Sequence, residues 1–227
     1  MTDKIKYAMI LASGLILSPT IATAGDSSNL TLLVGNCIAC HGPNGSSLGP
    51  ATPTIAGLES ESFVDIMEEY KNGERPSTIM GRIAKGYTFD DFEQMAEYFA
   101  TKPFVRQKQI FDPDKAKNGS KYHNKYCEKC HEQEGYEEDE DGSSILAGQW
   151  MPYLHFSLTD YHTGIRDMPK KMKKRMKKMV NEYGQDSLEY LVHFYGSQDR
   201  NDIIKIHHND HNDADADDDD DDDDDDD

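Results

Sequence analysis

Apolar residues recur at helical spacing in two stretches of each half of the chain. Positions i, i+3, i+4 and i+7 lie on one side of an α-helix, so each stretch predicts an amphipathic helix. Glycine can end a helix, and Gly73, Gly164 and Gly196 follow three of these stretches. The predicted buried faces are Phe63, Ile66, Met67 and Tyr70; Phe92, Met95, Ala96 and Phe99; Leu154, Leu158 and Tyr161; and Leu188, Leu191, Val192 and Tyr195.

The two halves repeat one another, since each predicts a helix, a loop and a second helix. Each half also begins with a short helical lead-in, "NLTLLVGN" in the first and "AKNGSKYHNKY" in the second. No stretch alternates apolar and polar residues as a strand would, so the pattern predicts an all-α chain of two tandem domains. We expect the first domain at 25–103, a linker at 104–114 and the second domain at 115–205.

The net charge of -19 is concentrated at the C-terminus. Residues 207–227 contain 14 of the aspartates, so residues 1–206 carry only -5. An acidic segment of this composition, 206–227, cannot bury apolar surface, and we expect it to be extended and disordered. Its histidines, His207, His208 and His211, could weakly hold a divalent metal; the alternative is a solvated tail.

All four cysteines lie in two copies of one motif, "CIACH" at 37–41 and "CEKCH" at 127–131. The spacing C-x-x-C-H is typical of covalent haem attachment, in which two thiols bind the porphyrin and the histidine ligates the iron. Zinc ribbons place their cysteine pairs only about 15–20 residues apart, and a redox dithiol needs a βαβ context. A disulfide would leave the histidines unexplained. We therefore predict two covalent haem c groups, with attachment residues Cys37, Cys40, Cys127 and Cys130 and iron ligands His41 and His131.

The sixth iron ligand distinguishes two functions. A methionine thioether saturates the iron and raises its potential, as in an electron carrier, whereas an open position allows ligand binding or peroxidase chemistry. In the first half, Met80 lies in the loop between the predicted helices. Met67 and Met95 lie on apolar faces and are better explained as core residues. We therefore predict Met80 as the sixth ligand of the first iron.

In the second half, four methionines compete for this role: Met168, Met172, Met176 and Met179. Aligning the final helices pairs Met80 with Met176, whereas counting from the preceding glycine favours Met172. The last three methionines also form a helical stripe, so packing explains two of them. A histidine would lower the potential instead, and the candidates are His155, His162 and His193.

The N-terminus has the pattern of an export signal. Lys4 and Lys6 precede an apolar run from Tyr7 to Leu17, and Ala22-Thr23-Ala24 forms a cleavage site. The run is shorter than the ~20 residues that span a bilayer, although a retained anchor is the alternative. We expect residues 1–24 to be removed and the mature chain to lie in the periplasm, where c-type haem is attached.

Three stretches carry a resemblance to a known family. "STIMGRIAKGYTFDDFEQMAEYF" and the "KYCEKCH" motif, with a lysine-rich "KKM" segment, resemble the cytochrome subunit of flavocytochrome c sulfide dehydrogenase. The likeness runs from about Leu30 to Ser197. It implies two tandem class I cytochrome c domains, each around one haem. It also implies the ligands His41 and Met80, then His131 and Met172.

The resemblance further implies what the chain works with. Its partner would be a flavoprotein that carries FAD and oxidises sulfide, and its acceptor a soluble or membrane-bound cytochrome. The chain itself would be an electron-transfer subunit and not an enzyme. We expect no nucleic-acid partner and no stable membrane insertion. The acidic insert at 132–142 and the aspartate tail lie outside the family pattern.

Two other functions fit the motifs. A free-standing diheme carrier to a terminal oxidase needs no stable flavoprotein partner, and a haem peroxidase needs one iron without a sixth ligand. The many methionines argue against the peroxidase. A basic rim around Met172 would steer an acidic partner, although a solvated helix face explains it equally well. Its members are Lys170, Lys171, Lys173, Lys174, Arg175, Lys177 and Lys178.

Overall fold

The computed structural model describes residues 25–136 and 144–200, and every regular element in these ranges is a helix. The all-α prediction is confirmed. None of the described helices is long and apolar enough to cross a membrane. The predicted signal peptide, the C-terminal tail and the acidic insert from 137 onward lie outside the described residues.

The first domain packs four α-helices around one core. Phe92, Met95 and Phe99 are fully buried, and Phe63 is 4% exposed, so both predicted faces are core faces. Gly73 adopts the left-handed conformation (φ 80°) that ends the second helix. The elements are α1 (Gly25–His41), a 3-10 turn (Pro43–Gly45), α2 (Ser60–Asn72), α3 (Met80–Ala84) and α4 (Phe89–Ala100).

The second domain repeats this order, but the helix before its last one is longer than α3. Its elements are α5 (Pro113–Tyr126), α6 (Glu132–Gly135), α7 (Met151–Thr163), α8 (Lys170–Tyr183) and α9 (Asp186–Gly196). The repeat predicted loops where α3 and α8 lie. α8 forms because Met176 and Met179 bury one side of it while its cations stay on the solvent side.

The two domains share the same backbone frame after their haem motifs. The carbonyl of Gly45 accepts the backbone N–H of Ile55 at 2.8 Å, and the carbonyl of Gly135 accepts that of Leu146 at 3.0 Å. Both glycines have positive φ, 81° and 84°, which glycine adopts without strain. The sequence repeat is therefore also a structural repeat.

The linker is anchored to the second domain. Arg106 is 6% exposed; its Nε donates to Ala147 O at 2.9 Å, and its guanidinium lies 4.4 Å from the Tyr136 ring centroid. The Asp112 carboxylate then caps α5. The helix begins at Pro113, two residues before the start that we expected for the second domain.

Buried polar contacts join the domains. The Gln149 side chain bonds both backbone groups of Thr54, and the Trp150 indole N–H donates to Ser47 O at 3.2 Å. Gln149 and Thr54 are only 5% and 7% exposed. Because the two Gln149 bonds are shielded from water, they favour one orientation of the two domains.

α5 and α9 cross closely at a glycine. A Cβ on Gly119 would lie 2.0 Å from the Tyr190 carbonyl oxygen. In α1, by contrast, Gly35 has nothing within 4 Å of its Cβ position. Of these two glycines, Gly119 is required by helix packing and Gly35 is not.

Candidate haem-attachment sites

The first motif occupies the last turn of α1. Cys37 is half-buried with its sulfur 3.7 Å from the Met95 sulfur, whereas Cys40 is exposed. Burial raises the pKa of the Cys37 thiol to about 11. The two thiols thus present one sulfur at the core and one at the surface, one helical turn apart, and His41 follows them.

His41 has the hydrogen bond expected of an iron ligand. It is 7% exposed, and its Nδ1 lies 2.7 Å from the Pro53 carbonyl oxygen. A carbonyl only accepts, so Nδ1 carries the proton and Nε2 keeps its lone pair. Burial also lowers the pKa of His41 below 6.5, which favours the neutral ring. This arrangement fits a haem iron bound through Nε2.

The second motif begins where α5 ends. The Cys127 N–H donates to His123 O at 2.7 Å, and the His131 N–H donates to Cys127 O at 2.9 Å. Burial raises the pKa of the Cys127 thiol to about 11. None of the four cysteines forms a disulfide. Within 25–136 and 144–200, no group of three or more His, Cys, Asp or Glu side chains could hold a metal ion.

The methionines divide by burial. Met80 begins α3 and is partly buried against the same core as Cys37. Met168 and Met172 are likewise partly buried against the core that Cys127 contacts, whereas Met176 and Met179 are core residues at 8% and 1% exposure. Met67 and Met95 are core residues too, as predicted. In burial, Met172 corresponds to Met80 better than Met176 does.

The alternative histidine ligands are engaged or exposed. His193 accepts the Asp112 N–H at Nδ1 (3.0 Å), and its Nε2 lies 3.2 Å from a Glu189 oxygen. His155 is exposed beside Glu189, and His162 is exposed. These contacts favour methionine as the sixth ligand in the second domain.

Taken one at a time, the two halves of the sequence do not single out His123, which lies four residues before Cys127. It is fully buried, its Nδ1 lies 2.9 Å from the Tyr195 hydroxyl, and its Nε2 contacts the Glu128 carboxylate. Burial lowers its pKa, while Glu128 opposes that shift. Superimposing the two haem motifs would have identified it, because the first half has Leu33 at the same position.

Two arginines lie among tyrosines where the domains meet. Arg75 is 7% exposed and bonds Glu69 at 3.1 Å, and Arg166 stacks on Tyr161 at 4.2 Å. Burial opposes ionisation of Tyr153, yet both arginines hold its pKa below the ordinary value. This concentration of positive charge fits the carboxylates at a porphyrin edge.

The chain is similar to cytochromes of two kinds. It is 44% identical over 64 residues to the cytochrome subunit of sulfide dehydrogenase of Chlorobaculum tepidum, a match that covers 28% of this chain and 57% of that protein. It is 26% identical over 174 residues to cytochrome c4 of Pseudomonas aeruginosa, over 72% of this chain and 84% of the relative. No family model matches.

The fold matches a solved diheme cytochrome. The crystal structure of reduced recombinant cytochrome c4 from Pseudomonas stutzeri aligns with a TM-score of 0.64 and 25% identity, over 77% of this chain and all of that one. Homologues and fold together support diheme electron transfer, and they imply covalently bound haem c, two groups in all.

Proposed function

We propose that this chain is the diheme electron-transfer subunit of a sulfide dehydrogenase. It would take electrons from a flavoprotein that oxidises sulfide and carries the FAD, and pass them to another cytochrome. The observation that carries this proposal is the 44% identity with the cytochrome subunit from Chlorobaculum tepidum. The chain makes and breaks no substrate bond, so it is a subunit and not the enzyme.

Eight residues would hold the two haems. Cys37 and Cys40 attach the first and Cys127 and Cys130 the second, while the ligand pairs are His41 with Met80 and His131 with Met172. Bound haem supplies a one-electron iron couple. The protein fixes the ligands: the Pro53 carbonyl orients His41, and each methionine packs against the core that its cysteine contacts.

The domain contacts set the path between the two sites. Gln149 and Trp150 bond the backbone of the first domain, so the two motifs keep a constant separation. Electrons would pass between them without domain diffusion. Two one-electron centres suit a flavin, because they can divide the electron pair that sulfide oxidation releases.

α8 provides a basic face for docking. Its lysines are exposed and its methionines turn inward. Because Met172 lies on this helix, the charge would gather an acidic partner near the second haem. We place the mature chain in the periplasm, with residues 1–24 as its export signal.

A second candidate is a free-standing diheme carrier that delivers electrons to a terminal oxidase. The similarity to cytochrome c4 favours it, because that match covers 72% of this chain against 28% for the sulfide dehydrogenase subunit. The two candidates differ in one respect: the carrier has no stable flavoprotein partner.

One purification separates the candidates. The chain is expressed with haem-attachment machinery in a host that contains its neighbouring genes, recovered by a tag on this chain, and its visible spectrum is recorded before and after sulfide is added. Flavin at about one per two haems, with haem reduction by sulfide, supports the subunit. Two haems without flavin or reduction support the free carrier. Absence of covalent haem would overturn both.

A further inference from the structure

Two positions beside the haem motifs, one buried and one partly buried, differ in character between the domains. The residue four positions before the first cysteine is Leu33 in the first domain and His123 in the second, at 9% and 0% exposure. The residue just after that cysteine is Ile38 in the first domain and Glu128 in the second. In the second domain, the side chains of His123 and Glu128 contact each other.

A third position completes the set in the terminal helices. Phe99 accepts the Gly57 N–H at 2.9 Å, and Tyr195 accepts the Gly148 N–H at 2.8 Å. The equivalent bonds show that Phe99 and Tyr195 occupy the same place in the repeat. Both are buried. The same three positions are therefore apolar in the first domain and hydrogen-bonded in the second.

The three polar side chains of the second domain, His123, Glu128 and Tyr195, extend to the haem-attachment residue Cys127. His123 Nδ1 lies 2.9 Å from the Tyr195 hydroxyl, and that hydroxyl contacts the Cys127 sulfur. Burial holds the pKa of Tyr195 well above its ordinary value, so the hydroxyl keeps its hydrogen. Hydrogen bonds thus link Glu128 through His123 to Tyr195, whose hydroxyl lies against Cys127.

This chain of bonds accommodates two protonation states. With a neutral ring, Nε2–H donates to Glu128 and the Tyr195 O–H donates to Nδ1. With a protonated ring, Nδ1–H donates to the Tyr195 oxygen, and the hydroxyl turns toward the Cys127 sulfur. Neither state leaves a buried polar group unsatisfied, so one proton can enter or leave without repacking.

We propose that His123, Glu128 and Tyr195 form a proton-binding site coupled to electron transfer at the second haem, and that the first domain lacks such a site. Reduction of the second iron by one electron from a donor such as the flavoprotein is accompanied by uptake of one proton from solvent at His123. Oxidation by the acceptor cytochrome releases it. The inference rests on haem attachment at Cys127 and Cys130 and goes beyond the proposed function.

The sign follows from charge. Ferric iron carries one more positive charge than ferrous iron, so it disfavours an imidazolium nearby, and reduction favours proton binding. Burial lowers the pKa of His123, with Glu128 and then Glu134 opposing it. The other groups against the ring are Tyr195 and the Phe194 ring at 5.1 Å. The potential of the second haem therefore falls as pH rises through a window near or below 6.5.

The test is a potentiometric titration of the diheme protein, followed by haem absorbance, from about pH 5 to about pH 9. We expect one of the two potentials to fall with pH, its redox equilibrium shifting up to tenfold per pH unit, which is 59 mV for one electron. The titration gives one redox wave for each haem. Met80→His lowers the potential of the first haem, so the wave that shifts belongs to that haem. The inference is overturned if neither wave depends on pH, or if only the first does.

The matched variant returns the second domain to the residues of the first: His123→Leu, Glu128→Ile and Tyr195→Phe together. The native repeat already packs these three side chains, and the haem content of the variant is measured first. Its second potential is expected to be independent of pH. His155→Gln removes an exposed histidine that also faces a glutamate, and it should leave the slope unchanged. An unchanged slope in the triple variant would refute the assignment.

Discussion

The side chain of Gln149 forms two hydrogen bonds with the backbone of Thr54 in the other domain. Its Nε2 donates to Thr54 O at 2.9 Å, and its Oε1 accepts the Thr54 N–H, also at 2.9 Å. An amide side chain has one donor group and one acceptor, so it can pair with both backbone groups of Thr54, as a neighbouring strand would in a sheet. The contact ties a loop of the first domain to the segment that precedes α7.

Gln149→Leu should weaken this tie. The substitution leaves a buried N–H and a buried carbonyl of Thr54 without partners, which costs about 1–3 kcal/mol for each unsatisfied group. Guanidinium unfolding, followed by circular dichroism, should give a lower midpoint and a separate transition for each domain. Gln94→Leu is the control, because Gln94 bonds only Asp90 within α4. Equal effects of the two substitutions would contradict the role of Gln149.

Replacing each of the four candidate methionines of the second domain with leucine tests which one ligates the iron. The same substitution at Met80 tests the ligand of the first domain. Met80→Leu and Met172→Leu should each lower one haem potential and remove half of the red absorption band of methionine-ligated ferric haem, because leucine cannot ligate iron. Met176→Leu should keep the band and cost less than about 1.5 kcal/mol, as a volume-conserving core change. Loss of the band in Met176→Leu or Met168→Leu would reassign the ligand.

The helix crossing at Gly119 gives a matched pair of substitutions. Gly119→Ala forces a methyl group into the Tyr190 backbone and should destabilise the second domain by about 1–3 kcal/mol. Gly35→Ala fills open space on α1 and should stabilise the first domain by about 0.5–1 kcal/mol. Thermal unfolding measures both. Stabilisation by both substitutions would show that helix propensity, and not the crossing, decides the outcome.

Docking through α8 should depend on salt. Replacing Lys173, Lys174, Lys177 and Lys178 with glutamine should slow reduction by the flavoprotein roughly tenfold at low ionic strength and flatten the salt dependence. Stopped-flow haem absorbance measures the rate. Lys117→Gln with Lys121→Gln removes exposed charge from α5 instead. If this control slows the reaction as much, net charge explains the effect and α8 has no special part.

Local patterns predicted most of the fold. The apolar faces of α2, α4, α7 and α9 follow helical spacing, and Gly73 and Gly164 end their helices with positive φ as expected. These features depend on residues a few positions apart, which sequence reasoning handles well. α8 was harder, because its methionines and cations also suit a loop that presents a ligand.

Features that depend on distant residues were not predictable. Gln149 meets Thr54 across 95 positions, and a glutamine before a helix gives no sign of such a partner. His123 resembles a surface residue in its polar neighbourhood, and only the contact with Tyr195, 72 positions later, explains its burial. The choice between Met172 and Met176 depends on which side of α8 turns inward, and Met168 lies in the segment before that helix.

The backbone bonds that Gly45 and Gly135 accept involve no side chain of the residues that close each loop. Side chains of the loop-closing residues, such as Ile55 and Leu146, can therefore change without loss of these bonds. A single domain would have to keep its backbone frame and change its chemistry at the same time. With two copies of the unit, these two requirements are separated. One copy can stay insensitive to its surroundings while the other diverges, as the contrast between Leu33 and His123 illustrates.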